Sequence, residues 1–166
     1  MTDAPAVLRR PQHQVSPRAV WYWTVRALIM WIIVAAAETF IHFAFGSGWS
    51  AWFYLVPAAT AIVAATHLVV MPRWRYRVHR WEATPTAVYT QSGWFVQERR
   101  IAPIARIQTV DSERGPVEAF FGLTNVTVTT ASAAGPISIH GLNQATAEKL
   151  VRDLTRIAQL AGGDGT

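Results

Sequence analysis

Between Ala27 and Pro72 the chain runs 46 residues with a single Asp, Glu, Lys or Arg, Glu38, whereas the 94 residues that follow carry charge at ordinary density. A run of that length exceeds one core helix and suits two membrane crossings. Ala27 to Phe45 supplies 19 residues, about 28 Å as a helix; Gly46-Ser47-Gly48 breaks the run, and Ala51 to Met71 supplies another 21, about 32 Å. Trp21 and Trp23 before the first run, Trp49 and Trp52 at the turn and Trp74 after the second sit where indole rings prefer the headgroup level; only Trp31 lies deep. Arg9, Arg10, Arg18 and Arg26 precede the first run and Arg73, Arg75, Arg77 and Arg80 follow the second, while the turn has no charge. The positive-inside rule then puts both termini in the cytoplasm, with the hairpin in the cytoplasmic membrane. A cleaved secretory signal ending at Ala44-Phe45-Gly46 fits less well, because the run exceeds an ordinary signal core and a second apolar run follows directly.

The charge divides at the same border. Of the net +5, the residues through Arg80 contribute +6 and those from Trp81 onward −1. The basic excess flanks the membrane and the water-soluble part is close to neutral, so the electrostatic footprint of a nucleic-acid-binding domain is missing and no nucleic-acid partner is expected. The chain has no Cys, which excludes disulfides, thiolate chemistry and Cys-ligated metals.

Glu38 is the unusual residue of the hairpin. A carboxylate near mid-bilayer costs roughly 3 kcal/mol, so it must be protonated, paired or turned toward protein. His42 follows one helical turn later on the same face, and a tight antiparallel turn brings Thr60 within reach of Glu38. Two readings follow: a proton relay or inter-subunit contact through Glu38 and His42, or a carboxyl satisfied within the hairpin. The second carries somewhat more weight.

Beyond Trp74 the periodicity changes. Arg75 to Glu82, Ala87 to Gln91 and Trp94 to Ile101 read as an antiparallel meander; Ile107 to Ser112, Asn125 to Thr130 and Pro136 to His140 read as three further strands. Gly115-Pro116 opens a short helical turn that Gly122 ends. Ala145 to Leu160 is helical, with Ala147, Leu150, Val151, Leu154 and Ile157 on one face, and must bury that face against the strands. The division expected is a cytoplasmic tail over 1–19, a hairpin over 20–72, a domain over 73–160 and a flexible tail over 161–166.

The blocks Tyr76-Arg77-Val78, Arg99-Arg100-Ile101-Ala102-Pro103-Ile104-Ala105-Arg106-Ile107-Gln108-Thr109-Val110 and Gly115-Pro116-Val117-Glu118-Ala119-Phe120-Phe121-Gly122-Leu123, with Gly141-Leu142 before the last helix, resemble the bacterial pleckstrin-homology-like domain of YdbS-like membrane proteins. The resemblance implies an α+β membrane protein: a two-helix transmembrane hairpin, then a PH-like antiparallel β-barrel capped by a C-terminal helix. Six strands are evident where a complete PH fold has seven, which leaves one short, irregular or hidden near Ala131 to Gly135. The loop Ala83-Thr84-Pro85-Thr86 lacks the basic residues with which lipid-reading PH domains hold an inositol phosphate.

Pro103, Arg106 and Gln108 read mainly as structure, a turn and an arginine paired with Glu113 or Glu118; the alternative is an Arg106 grip on a carboxylate or phosphate. Gly115, Pro116, Phe121 and Gly122 read as helix start, core aromatic and stop. If Arg73, Arg75 and Arg77 lie on one strand face beside the bilayer, they attract anionic lipid at about 1 kcal/mol each, or serve only as a topology signal. Asp111, Glu113 and His140 make no recognisable catalytic constellation, and no phosphate loop, nucleophile elbow or metal spacing is present. The expectation is a non-enzymatic, cofactor-free interaction or scaffold module, an accessory subunit of a larger membrane assembly. Its partners would be membrane lipids and another membrane protein or a second copy; oligomeric transport or proton coupling through Glu38 and His42 is the alternative.

Overall fold

The computed structural model of the chain describes residues 10–45, 51–94, 96–131 and 135–163. The turn at Gly46-Ser47-Gly48 with Trp49, most of the segment proposed to hide a strand, and the end of the 161–166 tail lie outside the described residues.

Two long helices, α1 (Arg18–Phe45) and α2 (Trp52–Val78), carry the apolar runs. Both are long and apolar enough to cross a membrane, and neither buries its apolar stretch inside the protein. Ile33, Phe40 and Phe43 on α1 and Ile62 and Val63 on α2 stand exposed, a surface that water does not tolerate. Each helix outruns its apolar segment: α1 starts ahead of Ala27, and α2 passes Met71 and Pro72 to end at Val78. The strand expected over Arg75 to Glu82 is therefore corrected to a helical end followed by a strand from Arg80. An alternation of a few residues fits either period, and packing decides. The Arg75 guanidinium lies 4.8 Å over the Trp23 ring, while the His79 backbone N–H and its ring Nδ1 meet the Arg75 carbonyl at 2.9 and 2.8 Å and close the last turn.

Among the described residues, seven strands form two antiparallel sheets. The first has the order β1 (His13–Gln14), β2 (Arg80–Ala83), β3 (Ala87–Gly93), β4 (Gln97–Pro103); the second has β5 (Ile107–Glu113), β6 (Leu123–Thr130), β7 (Ile137–Asn143). A 3-10 turn over Ile104–Arg106, a short α3 (Pro116–Phe120) and α4 (Gln144–Gly163) complete the domain. The seventh strand is β1, ahead of the hairpin, with His13 opposite Trp81 and Gln14 opposite Arg80. Residues 1–19 are thus no mere tail: their second half belongs to the sheet domain, and the hairpin is an insertion between its first and second strands. The closed barrel is also corrected. The sheets share no ladder; Arg100 of β4 reaches across to the Pro136 carbonyl at 2.5 Å, and α4 covers the gap between them.

Two apolar clusters hold this together. In the larger, Val88 and Ala102 of the first sheet meet Val126, Val128, Ile137 and Ile139 of the second, sealed by Ala147, Leu150 and Leu154 of α4. Each buried leucine contributes roughly 1.5–3 kcal/mol. The Asn143 side chain accepts the Thr146 N–H at 2.9 Å and caps α4. In the smaller cluster Val15, Ala19, Tyr22 and Trp23 pack on Leu123, with Tyr76 and Phe121 against them. Trp23, expected at headgroup level, is instead 3% exposed and inside the protein. Gly141 permits this approach: it takes φ +78°, and a Cβ there would stand 3.0 Å from the Ala19 Cβ, while its carbonyl accepts the Ser16 N–H at 2.8 Å.

Candidate functional site

Within the hairpin, Thr60 Oγ1 donates to Glu38 Oε1 at 2.5 Å, and Trp31 Nε1 donates to His67 Nδ1 at 3.0 Å. An indole N–H only donates, so His67 Nδ1 is the acceptor of this bond. His42 packs its ring on Phe53, and Glu38, His42, Pro57 and Thr60 line a cavity of about 240 Å³. Glu38 and His42 thus share a cavity, with the Glu38 bond directed to Thr60. The Glu38 carboxyl therefore has a hydroxyl partner within the hairpin.

Where the start of α1 and the end of α2 meet the sheets stands a polar junction. Tyr22 donates its hydroxyl to Glu118 Oε1 at 2.6 Å and accepts from Arg26 at 2.9 Å. The Tyr22 bond holds the Glu118 carboxyl below its ordinary pKa; burial, then the bond to Glu118, pushes the Tyr22 phenol up. Burial lowers the Arg75 pKa, and burial followed by the Arg75 charge lowers that of His79 to about 4, so His79 is neutral at pH 7. Arg73, Arg75 and Arg77 do not share a face, because they are helical. Arg73 and Arg77 are exposed and one turn apart, Arg73 bonding the Val69 carbonyl at 2.8 Å, whereas Arg75 turns inward onto Trp23.

The motif residues are dispersed. Pro103 ends β4, Gln108 lies where the β5–β6 register slips, and Gly115 and Pro116 start α3. Phe121 stands edge-on to Tyr22 at 6.4 Å, and Gly122 takes φ +66°. Among the described residues Arg106 pairs with neither Glu113 nor Glu118, contrary to expectation, since Glu118 is engaged by Tyr22. Arg106 instead borders an open cleft of about 560 Å³ with Arg99 and Arg100, a grouping their separation in sequence concealed.

A cleft of about 760 Å³ was not anticipated at all. It runs between the β1–β2 edge and α4, with His13, Trp81 and Pro85 on one wall and Thr146, Lys149 and Ile157 on the other. Trp81 Nε1 has no hydrogen-bond partner among the described residues. The strands and α4 were legible separately, but their juxtaposition depends on β1, two residues long, for which no periodicity exists. The clefts and junctions described offer shape and charge for binding and no nucleophile–base pair.

Residues 28–158 match the bacterial PH domain family. The chain belongs to that family. The matched stretch starts inside α1 and ends within α4, so it takes in most of the hairpin as well as the sheets. The chain is also similar to the transmembrane protein YdbS of Bacillus subtilis, at 29% identity over 161 residues, which covers 93% of this chain and 98% of the relative. No solved structure matches. The bacterial PH domain is the one that the Pro103–Gln108 and Gly115–Gly122 blocks indicated, and both blocks lie within the matched residues.

Proposed function

We propose that the protein is a non-enzymatic docking subunit of a membrane assembly, which holds a segment of a protein partner in the cleft between Trp81 and α4, close to the cytoplasmic membrane surface. The observation that carries this reading is the cleft itself: an apolar floor of Trp81, Leu150 and Ile157 with Lys149, Asp153 and Arg156 at its border, the make-up of a peptide-binding groove. The weld between hairpin and sheets supports it. The β1–β2 pairing brings the start of α1 and the end of α2 together, which supports two crossings with both ends on one side. The arginines flanking the helices support a cytoplasmic location for that side. Arg73 and Arg77, exposed just past the apolar run, contact anionic headgroups, and Arg75 does not.

The test is purification of the full-length protein from its native membrane in mild detergent, with Thr146→Trp as a cleft-filling variant. Wild type should bring a stoichiometric protein partner that the variant loses while keeping its own unfolding temperature. A wild type that emerges without a protein partner, or a partner held equally by the variant, contradicts the reading.

A further inference from the structure

Among the described residues outside the two long helices, the most exposed large apolar side chains are Val96 at 80% and Phe120 at 85%. Neither is placed at random. Val96 lies at the tip of the β3–β4 hairpin, and that tip leans on α2: Trp74 Nε1 donates to the Trp94 carbonyl at 3.0 Å, and the Trp94 ring stands 5.5 Å from the His67 ring. His67 is four residues inside the last apolar residue of the second run, Met71, or about 6 Å deeper along the helix. A part of the sheet domain therefore reaches the depth of the hydrocarbon boundary.

Phe120 lies on α3, and α3 leans on α1. Glu118 is tied to Tyr22 at 2.6 Å, and Val117 and Glu118 border a groove of about 500 Å³ whose other wall is Ile29, Met30 and Ile33, the opening residues of the first apolar run. Two separate corners of the domain, one on each helix, thus carry a large apolar side chain to the level where the helices enter lipid. In water each such side chain forfeits roughly 1.5–3 kcal/mol of burial; at the interface an aromatic ring is favoured.

We propose that the domain is seated in the bilayer rather than hanging beneath it, with the β3–β4 tip at Trp94 and Val96 and the α3 corner at Phe120 inserted among the lipids on either side of the hairpin. Its partner at these corners is the lipid interface itself. Because hairpin and sheets share the core around Trp23 and Leu123, the seat sets the tilt of the whole body relative to the membrane normal. The inference rests on the two-span reading of α1 and α2.

The absence of Cys permits a direct test on the full chain in vesicles of phosphatidylethanolamine and phosphatidylglycerol. Single spin labels are attached at Val96→Cys, Phe120→Cys, Ile62→Cys within α2 and Arg152→Cys on α4, all exposed positions. The collision rates of each label with oxygen and with a water-soluble nickel chelate are then compared. Labels at 96 and 120 should resemble that at 62, with oxygen access exceeding nickel access, and the label at 152 should show the reverse. If 62 lies in lipid but 96 and 120 match 152, the seat is wrong and the spans stand. A label at 62 that is open to nickel overturns the spans and the seat with them. Shielding of 96 and 120 from both reagents would mean that protein covers these corners, and would equally overturn the proposal.

Discussion

The His79 imidazole has exchanged water for the Trp23 ring, 5.1 Å away, and for the carbonyl that ends α2. At 4% exposure, and beside the Arg75 guanidinium, it takes a proton only near pH 4, whereas the unfolded chain takes one near 6.5. Between those values the unfolded state binds more protons, so stability is complete above about pH 6.5 and is lost as pH falls toward 4, by roughly 3 kcal/mol in all. The unfolding midpoint of the detergent-solubilised protein should drop between pH 7 and pH 4.5. In His79→Gln that drop should be clearly smaller, and an equal drop in both proteins would mean that the ring already titrates in the folded state. Gly141 is the complementary case, a residue defined by what it lacks. A Val there meets Ala19 and must hold a positive φ, at a cost of roughly 1–3 kcal/mol, read as a lower unfolding midpoint at neutral pH.

Elements differ in how much of themselves they disclose. The α4 helix was legible because Ala147, Leu150 and Leu154 repeat at the helical period and all three are buried. The same holds for β6 and β7, where Val126, Val128, Ile137 and Ile139 alternate into the core. The end of α2 was misread because a tryptophan from another helix, Trp23, holds Arg75 in a helical turn, and that contact has no local signature. The β1 strand was invisible for the same reason: two residues are ordered by partners distant in sequence, among them Trp81, Arg80 and the cluster that buries Val15. Glu38 and Thr60 were legible as a pair because an antiparallel hairpin fixes their level. If β1 is structural, removal of residues 1–15 should lower the unfolding midpoint by the equivalent of one buried valine or more, roughly 1.5–3 kcal/mol, while the hairpin still inserts. A truncated protein as stable as the full chain would reduce β1 to an accidental contact.

For the molecule as a whole, the hairpin and the two sheets share a core through Tyr22, Trp23 and Leu123, so the domain cannot swing freely on its anchor. That weld suits a subunit that presents a surface at a set height above the membrane. Arg73 and Arg77 belong to this scale, since their exposed guanidinium groups face the headgroups only if the whole body is held upright. Arg73→Gln with Arg77→Gln should remove the gain in thermal stability that anionic over zwitterionic lipid gives the reconstituted protein, whereas an unchanged gain would assign that effect to other residues. The account stands most directly on the cleft beside Trp81. A photoreactive amino acid in place of Lys149, activated in living cells, should yield one discrete protein adduct that Thr146→Trp suppresses; the same label yielding no protein adduct, or one indifferent to that substitution, would contradict it.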